Sequence, residues 1–147
     1  AKAHPEVIPL GTVLPGEPDE ERTLHEALGP LGLRGIKLHC HVQQIAADDP
    51  RLEPTYRACE DARVPVVIHA GREPKSPHYK VDTYAVCAAW RIERVLQRHP
   101  GVRLCVPHLG ADEFEAYARL AERHENLWLD TTMMLSGYLP GPEPPAS

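Results

Sequence analysis

The feature that most constrains this sequence is an alternation. Short runs rich in β-branched residues, Val7 to Leu14, Gly35 to Leu38, Val64 to Ala70, Val102 to Val106 and Asn126 to Leu129, read as strands. The segments between them carry apolar residues at helical spacing: Leu52, Tyr56 and Cys59 share one face, as do Ala88, Ile92, Val95 and Leu96, and again Phe114, Tyr117, Ala118 and Ala121. Asp112 followed by Glu113 and Glu115 marks a helix start, and Asp19 to Leu28 predicts a shorter helix. Strict alternation of this kind needs parallel strands joined by crossover helices. The unbroken run Val66-Val67-Ile68 suits a strand covered on both faces. Two architectures fit: a doubly wound sheet complete within 147 residues, or part of an eight-stranded (β/α) barrel, which takes about 250 residues.

An internal echo bears on that choice. His4-Pro5, His99-Pro100 and His124-Glu125 each stand where a helix should stop and a strand begin. Histidine is favoured by the dipole at a helix C-terminus, and proline just beyond it stops the helix, so these three histidines read as end caps without a chemical role. On this reading Ala1 to His4 is the last turn of a helix and Pro140 to Ser147 a loop with no closing helix. The chain is therefore expected to be a single partial barrel domain over residues 1–147, about strands three to seven, lacking N-terminal strands and the last strand.

Composition removes several functional classes. With 16 basic against 21 acidic residues and no Lys/Arg block, the electrostatic footprint of a nucleic-acid binder is missing. No apolar run approaches the roughly 18 residues of a membrane span, so the chain is expected to be soluble, away from membranes. The cysteines at 40, 59, 87 and 105 make no CxxC pair and read as small buried hydrophobes in a reducing, cytoplasmic setting.

Ligands in parallel α/β folds bind at the carboxyl ends of the strands. There the sequence delivers His39 after Gly35-Ile36-Lys37-Leu38, His69 after Val66-Val67-Ile68, His108 after Cys105-Val106-Pro107, and Asp130 after Leu127-Trp128-Leu129. One such histidine would more often be structural; four strands in succession ending in His, His, His and Asp point to a site. Imidazole and carboxylate are the ligands zinc prefers, and strands about 4.8 Å apart would let His69 and His108 reach a common point. No Gly-x-Gly-x-x-Gly or P-loop follows any strand, and the single glycines of Ala70-Gly71-Arg72 and Leu109-Gly110-Ala111 make a turn, not a phosphate cradle.

Gly35-Ile36-Lys37-Leu38-His39, Asp49-Pro50-Arg51-Leu52, Pro65 to Gly71, His108-Leu109-Gly110 and Leu129-Asp130-Thr131-Thr132 together resemble the fourth to seventh strands of metal-dependent amidohydrolases. The likeness is to the branch that includes aminocarboxymuconate semialdehyde decarboxylase, and it runs from about Val7 to Thr132. It implies a (β/α)8 barrel, a divalent metal, zinc by preference, and hydrolysis or decarboxylation of a small cyclic or aromatic acid. It also implies His69 as the fifth-strand metal ligand and His108 as the catalytic acid/base of the sixth strand. Nothing here matches the family's first-strand His-x-His pair or its eighth-strand Asp. His39-Cys40-His41 imitates that pair at the fourth-strand position, and a continued strand would point both rings to one side.

Lys37 shares the face of His39 and should point inward, where a buried cation must be paired or lose its charge. Lys37, His39, Arg72 and Asp130 are the candidate substrate-binding residues, and Arg72 or His78 would grip an anionic group. The chain alone is expected to be inactive and to hold zinc poorly, since only His69 is an assigned ligand, and its unpaired strand edges leave a homo-oligomer open. The reading from another class is a non-catalytic doubly wound domain that binds a ligand or partner; Gly11-Thr12-Val13 lacks the carboxylates a receiver-like module would need.

Overall fold

The computed structural model describes residues 4–72 and 79–134. The expectations for Ala1 to Ala3, His78 and Pro140 to Ser147 therefore lie outside the described residues. Among those described, the elements in chain order are α1 (Glu20–Leu28), β1 (Ile36–His39), α2 (Cys40–Gln43), α3 (Glu53–Ala62), β2 (Pro65–His69), α4 (Thr83–Cys87), α5 (Ala89–Arg98), β3 (Arg103–Val106), α6 (Phe114–Arg123) and β4 (Leu127–Leu129). All pairings are parallel, in the order β1-β2-β3-β4. A doubly wound sheet reverses its strand order at a switch point. A sheet that advances one strand at a time in a single direction is part of a TIM barrel wall, because crossovers of constant hand place every helix on one side.

Side-chain alternation separates the two faces. Ile36, Leu38, Val66, Ile68, Leu104 and Val106 point to the helix layer and are at most 1% exposed. Ile92, Val95 and Leu96 of α5, Tyr56 and Cys59 of α3, and Tyr117 and Leu120 of α6 meet them from the other side. All but Leu120 belong to the apolar stripes read in the sequence, and burying such side chains contributes about 1.5–3 kcal/mol apiece. The opposite face is less covered. Register aligns Lys37, Val67, Cys105 and Trp128 in one row across the four strands, and Trp128 remains 49% exposed.

Two expectations are corrected. The run Val7 to Leu14 is not a full strand: it meets β1 at a single parallel bridge, Gly11 to Ile36, flanked by the bonds Gly11 N–H to Gly35 O and Lys37 N–H to Gly11 O. Pro9 interrupts the run and Pro15 follows it, and proline cannot donate to a ladder. The strand carrying His39 also does not continue to His41. The side-chain oxygen of Gln43 takes the His39 N–H at 2.7 Å, and the chain turns into α2, which Gln44 closes in the left-handed conformation.

Three of the four free cysteines, Cys40, Cys59 and Cys87, are buried as expected, whereas Cys105 is half-buried. Burial pushes the Cys59 thiol up to about 12. Among the described residues no helix is long and apolar enough to cross a membrane.

Candidate metal centre

The parallel register of β1 and β2 puts His39 directly opposite His69. Their rings stack with centroids 4.0 Å apart and planes 12° from parallel. The helical turn α2 then swings His41 back toward the same place, 5.7 Å from the His39 ring and 5.1 Å from His69. His41 is fully buried and His69 nearly so. One ligand nitrogen from each of the three rings lies within 4.8 Å of the others. Tetrahedral zinc, with Zn–N near 2.0–2.1 Å, brings its ligands to about 3.4 Å from one another, so the rings would close in by at most about 1.4 Å. A set of three imidazoles is chemically suited to a divalent ion of zinc's kind. The donor set fits the metal that the resemblance implies, though through a different pair of histidines.

The remaining strand-end histidine joins this group. His108 packs edge-on against His69, with centroids 5.1 Å apart. Two glycines make the approach possible. A Cβ on Gly71 would run into the carbonyl of Gly110, and a Cβ on Gly110 into the ring of Tyr117; both glycines have positive φ, +90° and +81°. In each loop the glycine comes two residues after the histidine, so the two loops touch backbone to backbone and hold His69 and His108 together. A parallel bridge from Arg72 to Ala111 extends the contact.

His108 itself has φ +60° and is followed by Leu109 at +52°, a conformation rare for non-glycine residues and common at functional sites. Its Nδ1 lies 2.7 Å from the carbonyl oxygen of Thr132. A carbonyl only accepts, so Nδ1 carries the proton and Nε2 is the basic or ligating atom.

Asp130 sits at the end of β4, where its Oδ1 accepts from the backbone N–H of Thr132 at 2.9 Å and of His108 at 3.3 Å. Burial pushes its carboxyl up, but hydrogen bonds from the Thr132 side chain and backbone and from His108 outweigh it and hold the group below the usual carboxylate value. Lys37 is half-buried on the less covered face of the sheet. Burial pulls its ammonium below the ordinary lysine value, opposed first by the Asp130 charge and then by Cys105 and Cys40. Arg72 lies further out, its Nε 3.5 Å from Asp112 and 3.6 Å from Glu113, with its guanidinium over the Tyr84 ring.

The structure thus brings His39, His69 and His108 together, sets Lys37 and Asp130 beside them, and engages Arg72 with two carboxylates. Three participants were not assigned from the sequence. His41 arrives through an unforeseen helical turn; Tyr79, whose ring stands 5.1 Å from His41, and the Thr132 carbonyl arrive from loops. The repeated His-x-Gly spacing was the one available signal for the loop contact.

A parallel barrel wall with histidines at successive strand ends is the class of protein that fold and site define. The chain belongs to the amidohydrolase family, whose model matches residues 1–146. No curated protein matches the sequence. Among solved structures, an uncharacterised TIM-barrel protein from Bordetella bronchiseptica is 30% identical with a TM-score of 0.79, over 96% of this chain and 49% of its own. A 5-carboxyvanillate decarboxylase from Novosphingobium aromaticivorans, complexed with manganese and a nitrobenzoic acid, shares the fold at 22% identity and TM-score 0.59, over 89% of this chain and 44% of its own. A dihydroorotase from Campylobacter jejuni does so at 20% and 0.56, over 90% and 40%. The chain spans about half the length of the structures it matches.

Proposed function

We propose that this chain carries the histidine centre of a metal-dependent hydrolase or decarboxylase acting on a small cyclic or aromatic acid. The observation that carries the reading is the convergence of His39, His41 and His69, with ligand atoms within 4.8 Å of one another, beside a fourth histidine whose ring is held at one nitrogen. The three rings would hold the divalent ion, and three such donors support a tighter hold than the single ligand assigned from sequence. Zinc is the preferred ion because all three donors are imidazole nitrogens; manganese, found in the decarboxylase above, is the competitor. Such an ion supplies Lewis acidity, polarising a carbonyl or making water a better nucleophile at neutral pH.

The residues of the chain do the rest. His108, fixed through Nδ1, presents Nε2 to accept or return a proton, which serves hydrolysis of a C–N or C–O bond and protonation of a ring carbon that loses carbon dioxide. Lys37, half-buried on the same sheet face, supplies positive charge to an acid substrate. Arg72 and Asp130 remain candidates for orienting it at the rim.

The test is His108→Asn in the full-length, metal-loaded enzyme, assayed on a panel of cyclic amides and hydroxybenzoates. Turnover should fall about 10²- to 10⁴-fold, the usual share of an acid/base group, with the metal retained. Loss of the metal together with activity would make His108 a ligand and overturn its role as proton carrier.

A further inference from the structure

We infer that Asp130 is the positioning residue for His108, fixing which ring nitrogen carries the proton. The inference takes from the proposed function only the reading of His108 as the proton carrier. It stands on four bonds that converge on one carboxylate residue. Asp130 Oδ1 takes the N–H of His108 at 3.3 Å and that of Thr132 at 2.9 Å. The Asp130 backbone carbonyl takes the Leu109 N–H at 2.8 Å, and its N–H donates to Val106 O at 3.1 Å. The two successive left-handed residues His108 and Leu109 are thus tied at both their N–H groups to the same aspartate. Left-handed non-glycine pairs persist only where their surroundings over-determine them.

The same oxygen that holds the backbone of His108 holds the N–H of Thr132, and the Thr132 carbonyl, 2.7 Å from His108 Nδ1, is what selects the tautomer. Asp130 therefore braces both ends of the contact. Without it Thr132 loses its anchor, the carbonyl drifts, and the ring is released to the Nε2–H form that a free neutral histidine favours. A bare Nε2 would then become a protonated one, unable to accept a proton.

The experiment is long-range ¹H–¹⁵N correlation on the ¹⁵N-labelled, chelator-treated chain, at a pH where the His108 ring is neutral, with His108→Asn used to assign the signals. The wild type should show His108 as a single Nδ1–H tautomer. Asp130→Ala should lose that single form and shift the ring toward Nε2–H, whereas Asp130→Asn, which keeps an amide oxygen for both N–H groups, should restore the wild-type pattern. In the metal-loaded enzyme the alanine variant should lose kcat. A wild-type His108 protonated at Nε2 would overturn the inference whether or not any variant folds. So would a folded Asp130→Ala chain with an unchanged His108 pattern. Neither outcome bears on whether His39, His41 and His69 bind an ion, so the two readings fail separately.

Discussion

Gly71 and Gly110 decide at the residue scale whether the histidines meet. Gly71→Ala would place a methyl group against the Gly110 carbonyl in a left-handed backbone, a combination of steric overlap and strain worth about 1–3 kcal/mol. Gly32 offers the control, since it also has positive φ, +61°, but nothing lies within 4 Å of its Cβ position; Gly32→Ala should cost about 1 kcal/mol or less. Urea unfolding of the two variants checks this, and equal losses would mean that the loop contact carries no weight. The strand-end histidines were legible in the sequence because the strands around them were. His41 was raised as the partner of His39, but on a continued strand and not on the helical turn α2 that delivers it; what Tyr79 and Thr132 do was not legible, since each depends on how a loop folds back, and loops carry no periodicity.

Elements repeat that lesson. Asp49-Pro50-Arg51-Leu52 reads as a helix opening, and Asp49 does cap the 3-10 turn Pro50–Leu52 that leads into α3, accepting from the Arg51 N–H at 2.9 Å. His99 was read as a cap for α5, and its N–H does bond Val95 O at 2.8 Å. Its buried ring also reaches Glu53 at 3.0 Å and Glu60 at 3.5 Å, so it ties the end of α5 to α3. A pair of glutamates seven residues apart gives no hint of a histidine between them. The stretch after α2 was equally opaque. There Asp48, with a side chain only 5% exposed, takes Arg91 and Arg94 on its carboxylate and Arg98 on its backbone oxygen, locking α5 against the loop. Asp48→Ala should therefore destabilise the fold by about 1–3 kcal/mol, with the arginines half-open to water and able to relax. Denaturant midpoints should fall at constant slope, and a change under about 0.5 kcal/mol would reduce the cluster to a surface ion pair.

For the whole molecule, the alternation of short strands with amphipathic helices was enough to predict parallel strands and crossovers. It could not choose between a wound sheet and a barrel wall. Strand order settles that, and order is a property of long-range pairing, invisible to any local pattern. One order of strands also accounts for the site: advancing one position at a time sets β1 next to β2 and β2 next to β3, so that His39, His69 and the His108 loop become neighbours. The most direct test of this account is the metal content of the purified chain after loading with zinc and exhaustive dialysis. One ion per chain is predicted, with affinity reduced about 10-fold or more in each of His39→Ala, His41→Ala and His69→Ala and retained in His108→Asn. A wild-type chain that emerges folded and metal-free, or His39 and His41 variants that keep a full equivalent, would contradict it.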